Sequence, residues 1–122
     1  MADEVVVYFN PACSKCRDAR DLLSERGEAA TYVRYLEERP TRVELERVMD
    51  LLDITDPRKM MRTGESVYQR LGLAAAGKDR LLEAMVEHPI LIERPIVIRG
   101  NRAVIARPPE KLLELIDEDE RT

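Results

Sequence analysis

Cys13 and Cys16 bracket Ser14 and Lys15 in a Cys-x-x-Cys motif, preceded by the apolar run Val5-Val6-Val7-Tyr8-Phe9 and followed by an amphipathic stretch. A pair of thiols at a strand-to-helix junction points to thiol redox chemistry. The reason is electrostatic. A helix N-terminus presents backbone N–H groups without intrahelical partners and a partial positive charge, and both favour thiolate over thiol. Such surroundings bring a cysteine pKa from ~8.5 to roughly 7 or below, which makes Cys13 the expected nucleophile. Cys16, three residues on, lies on the same helical face and can close a disulfide onto Cys13.

Composition narrows what these thiols can serve. A chain of 122 residues suffices for one domain with an ordinary core. Two cysteines so close together would stabilise little as a bridge and do not make a secreted disulfide scaffold. The acidic start Met1-Ala2-Asp3-Glu4 is followed by only five apolar residues. We therefore expect no signal peptide, no membrane association and a cytoplasmic location. A net charge of −4, with five aromatics and no Trp, argues against nucleic acid as a partner. Residues 117–120 hold four acidic side chains, so the chain outside this tail is nearly neutral, and the tail itself (117–122) is expected to be disordered. Any anion must then be recognised by a few placed arginines. Two cysteines and one histidine fall short of a closed four-ligand zinc site, so no metal is expected.

The elements that would carry the thiols follow from the patterning. Residues 5–9 read as a buried strand, and residues 14–26 as a helix with Cys16, Ala19 and Leu23 on one stripe and Gly27 at its C-terminal end. Residues 31–36 alternate as a second strand. Thr41-Arg42-Val43-Glu44 matches a capping box that opens a helix, and Asp56-Pro57 resembles an N-cap with proline at the first helical position. A shorter helical piece holds Tyr68 and Leu71, and residues 78–87 form another helix. Residues 95–98 read as a strand, Gly100-Asn101 as a hairpin turn, residues 102–106 as its return, and residues 108–116 as a last helix. The order is β-α-β, a helical insertion at about 41–88, then β-β-α: a single α/β domain over residues 1–116 with a thioredoxin-like mixed sheet.

Four segments carry a resemblance. They are Tyr-Phe-Asn-Pro-Ala-Cys (8–13), Arg-Thr-Gly-Glu-Ser-Val-Tyr-Gln-Arg-Leu-Gly-Leu (62–73), His-Pro-Ile-Leu-Ile-Glu-Arg-Pro-Ile-Val (88–97) and Ala-Arg-Pro (106–108). In order and spacing the chain resembles the ArsC-type arsenate reductases, the thioredoxin-fold family that also includes the Spx-like regulators. The resemblance implies that Cys13 attacks arsenate while Arg62, Arg94 and Arg107 hold the oxyanion. Guanidinium groups suit the task, being planar, permanently charged donors that match tetrahedral oxyanions. It also implies a cis peptide bond at Pro95, no bound cofactor, glutathione with glutaredoxin or a reduced thioredoxin as electron donor, and a role in arsenic detoxification. A monomer is expected.

The chain departs from that pattern in two places. Phe9 stands where glutaredoxin-coupled members carry a histidine, and Cys16 stands where they carry a residue other than cysteine. The dithiol resembles the Spx-like and thioredoxin-like branches, and it opens a second route in which Cys16 displaces the product and forms a Cys13–Cys16 disulfide. It also keeps two other functions in view: a redox-responsive transcriptional regulator binding RNA polymerase, and a general thiol-disulfide oxidoreductase. His88 beside Pro89 reads as a helix-end residue, and Met49, Met60, Met61 and Met85 as core filler.

Overall fold

The computed structural model describes residues 4–116, so the expectation for the tail at 117–122 lies outside the described residues. The chain divides into two compact units. One comprises the residues up to 35 and those from 94 onward; the other comprises residues 36–93.

The first unit is built on four strands, β1 (Val5–Tyr8), β2 (Ala30–Val33), β3 (Ile96–Arg99) and β4 (Arg102–Ile105), in the order β2-β1-β3-β4. β1 runs parallel to β2 and antiparallel to β3, and β3 and β4 form an antiparallel hairpin. This is the mixed, thioredoxin-like sheet expected from the order of elements. Two-residue alternation along β1 sends Val5 and Val7, with Phe9 beyond its end, to one face. There they meet Cys16, Ala19 and Leu23 of α1 (Ser14–Glu25), Val97 of β3, and Leu112, Leu115 and Ile116 near α5 (Leu113–Ile116). The other face carries Tyr8, whose ring stacks on Tyr35 at 6.3 Å.

α1 stops where its sequence stops it. Gly27 takes φ +70°, its amide donates to the Ser24 carbonyl, and the Glu28 amide donates to the Leu23 carbonyl. That pair of bonds is the Schellman arrangement, and a left-handed residue at this position favours glycine. The second strand is shorter than the 31–36 run suggests, because its ladder with β1 ends at Tyr8↔Val33. β3 begins one residue later than expected and turns at Gly100 (φ +59°) into β4. The final helix opens as a 3-10 turn, Pro109–Leu112, before becoming α-helical. Arg99, 9% exposed, donates to the carbonyls of Leu115 and Ile116 at 2.9 and 3.4 Å, tying the end of α5 to β3.

The second unit contains α2 (Arg42–Leu52), α3 (Ser66–Arg70) and α4 (Lys78–Glu87). Thr41 and Glu44 form the full capping box at the start of α2. Asp56 accepts from the Arg58 amide as expected of an N-cap, yet it opens only a single 3-10 turn, Pro57–Met60. The turn ends there because Met61 becomes extended and bridges to Ile92. Arg58 holds the irregular stretch together, donating to the Tyr68 hydroxyl and to the carbonyls of Leu73, Ala74 and Ala76. Met49, Met60, Met61 and Met85 are all buried. His88 caps the end of α4, its amide donating to the Ala84 carbonyl.

Candidate active site

Five residues separate the end of β1 from the start of α1, and the chain reverses within them. Asn10-Pro11-Ala12-Cys13 closes a turn in which the Cys13 amide donates to the Asn10 carbonyl at 2.9 Å. Asparagine first and proline second are the residues such a turn prefers. Cys13 then serves as the N-cap of α1 with extended backbone (φ −93°, ψ 122°). Cys13 is only 9% exposed and belongs to the core cluster; Cys16, one turn on, is fully buried. Both are free thiols.

The environment separates the two sulfurs. Burial pushes the Cys13 thiol up, but hydrogen bonds from the Cys16 amide, the Cys16 thiol and the Lys15 amide, together with the Arg94 charge, outweigh it and leave Cys13 below the ordinary thiol value. Cys16 is pushed up to about 12, chiefly by burial, with the Cys13 charge adding to the effect. Cys13 is thus the more readily ionised sulfur, and Cys16 the one that keeps its proton.

Sheet topology brings two arginines to the same end. β1 finishes where β3 begins, with Tyr8 opposite Ile96, so the segment preceding β3 lies at the end of the sheet from which Cys13 departs. That segment is Arg94-Pro95, joined by a cis peptide bond. The hairpin register Ile96↔Ile105 continues outward through the Ala106 amide bonded to the Pro95 carbonyl, which sets Arg107 across from Arg94. The Arg107 guanidinium donates to the Arg94 carbonyl at 3.0 Å. Cys13, Cys16, Arg94 and Arg107 are therefore gathered at one end of the first unit. A second cis bond, Arg107–Pro108, comes directly after, and the residue pattern gives no sign of it.

Arg62 belongs to the second unit. Its amide donates to the Leu91 carbonyl at 2.7 Å, and its guanidinium pairs with Glu65 at 3.0 Å, each side chain about a quarter exposed. Phe9, in place of a histidine, is buried edge-to-face against Tyr32, with the Arg20 guanidinium 5.9 Å over its ring. It offers no titrating group to the sulfur. Among the described residues no cluster of His, Cys, Asp and Glu could hold a metal ion, and no helix is long and apolar enough to cross a membrane.

The ionisation order has a direct readout. A lowered pKa moves the thiolate, and hence the alkylation rate, to lower pH. Iodoacetamide should therefore label Cys13 on the acid side of an ordinary thiol's profile, while native Cys16 stays unlabelled up to about pH 9. Tryptic cleavage after Lys15 separates the two cysteines, so peptide mass spectrometry scores each independently.

Known proteins align over nearly the whole chain. The ArsC family model matches residues 8–115. An arsenate reductase of Neisseria meningitidis is 41% identical over 111 residues, spanning 89% of this chain and 95% of its own. An uncharacterised Escherichia coli protein is 39% identical over 118 residues, spanning 95% and 99%. A solved structure of an arsenate reductase from Vibrio cholerae superposes with a TM-score of 0.90 at 44% identity, spanning 93% of this chain and 98% of that one.

Proposed function

The chain belongs to the ArsC family, and on that premise we propose that it is an arsenate reductase whose nucleophile is Cys13. The observation that supports this reading is a sulfur with a lowered pKa at a helix N-terminus, sharing one end of the sheet with Arg94 and Arg107.

Arsenate is an anion that resists attack by a thiolate, so the reaction needs positive charge around its oxygens. In the proposed sequence, Arg94 and Arg107 bind the oxyanion, and Arg62 supplies a third guanidinium on the strength of the family resemblance. The Cys13 thiolate forms a bond to arsenic(V), and an arsenic-bound oxygen leaves as water once protonated. Charge moving onto the remaining oxygens is met by the guanidinium groups. Arsenic then gains two electrons as two sulfurs become a disulfide. Either glutathione supplies the second sulfur and glutaredoxin clears the mixed disulfide, or Cys16 supplies it and thioredoxin opens the Cys13–Cys16 bond. Proximity favours the second route, since the two thiols lie one helical turn apart and each affects the other's ionisation. Reliance on such reductants fits a cytoplasmic location, where thiols are kept reduced.

Arsenite production with glutathione and glutaredoxin, set against thioredoxin and its reductase, tests the proposal. We expect Cys16→Ser to lose thioredoxin-supported turnover by at least about tenfold while keeping glutaredoxin-supported turnover. Absence of arsenite with both reductants in the wild-type protein would refute the assignment.

A further inference from the structure

We propose that Asn10 is a positioning residue that holds the Cys13 sulfur over the start of α1 and thereby sets its ionisation. The loop between β1 and α1 has few ways to fix itself: Pro11 has no amide to donate, and Ala12 has no polar side chain. Asn10 supplies what they lack. Its side-chain Oδ1 accepts from the Ala12 amide at 3.0 Å, while its own carbonyl accepts from the Cys13 amide at 2.9 Å. The two bonds nest one turn inside another, the short Asx turn within the four-residue turn. The far side of the loop is held from α1, where Arg17 donates to the Pro11 carbonyl at 3.0 Å and its amide to the Cys13 carbonyl at 3.1 Å.

The consequence reaches both sulfurs. With the loop fixed, Cys13 keeps the extended N-cap backbone that sets its sulfur at the start of α1, where the Lys15 and Cys16 amides favour the thiolate. The Asn10 backbone amide, held by the same loop, eases the ionisation of Cys16 against burial. Without the Oδ1 acceptor, the Ala12 amide turns to water, residues 10–12 relax, and Cys13 loses the geometry that favours its thiolate. Asn10 need not touch the substrate for this.

The inference rests on Cys13 being the reactive sulfur, the premise of the arsenate reading, but it is tested on ionisation and not on turnover. The midpoint of the Cys13 alkylation–pH profile should rise by about one unit in Asn10→Ala. Asn10→Leu, which keeps the branched side-chain shape but has no acceptor, should shift alike. Asn10→Ser, whose hydroxyl can form a weaker version of the same turn, should fall in between, with melting temperatures close to wild type throughout. Profiles of the folded Ala and Leu variants that coincide with wild type would overturn the role of Asn10. A shifted midpoint in a protein that makes no arsenite would leave Asn10 in place and remove the arsenate reading instead.

Discussion

Cys13→Ser should bring arsenite production down to the uncatalysed background, a loss of at least about four orders of magnitude, with either reductant. A serine hydroxyl is not ionised at neutral pH, and the amides that lower the Cys13 pKa cannot bring an alkoxide within reach. The same substitution should not harm the fold. Cys13 is the N-cap of α1, and serine is among the preferred residues at that position. The oxygen is smaller than sulfur, and a site 9% exposed can absorb the difference. Catalysis and stability should therefore separate: activity lost, melting temperature unchanged or slightly raised. Turnover near the wild-type rate in Cys13→Ser would end the proposal. A large drop in melting temperature would mean instead that the thiol is a packing element first.

The features legible in the sequence are those settled within a few residues. The Gly27 stop, the Thr41–Glu44 capping box and the Gly100-Asn101 turn each satisfy their own hydrogen bonds locally, so the pattern of residue types suffices. The Asn10-Pro11 turn is equally local, yet its link to the sulfur emerges only when Oδ1 is seen on the Ala12 amide. What the sequence hides depends on distant partners. The length of β2 is set by where β1 ends, the burial of Cys13 by a core drawn from both ends of the chain, and the role of Arg58 by four acceptors ten or more residues away. Between these extremes lies the Arg94–Arg107 pair. Once a two-residue turn is placed at 100–101, Arg99 faces Arg102, and counting outward puts Arg94 opposite Arg107.

That pairing leads to the second large effect. Arg94→Ala and Arg107→Ala should each lower kcat/KM for arsenate by roughly 10–150-fold, because a charge-assisted hydrogen bond contributes roughly 1.5–3 kcal/mol. The two losses should differ in kind. The Arg94 charge acts on the Cys13 sulfur and helps hold it ionised, so Arg94→Ala should also move the alkylation midpoint to higher pH. Arg107 is not among the main groups that lower the Cys13 pKa, so Arg107→Ala should move that midpoint less than Arg94→Ala does. Lysine should restore the sign of the charge at either position but not the planar fork, recovering only part of the activity. The double variant should lose less than the product of the single losses, because both guanidinium groups would hold the same anion and are not independent. If Arg107→Ala kept full activity, the oxyanion would have to be held elsewhere. If Arg94→Ala left both kcat/KM and the midpoint untouched, proximity to the sulfur would carry no catalytic meaning.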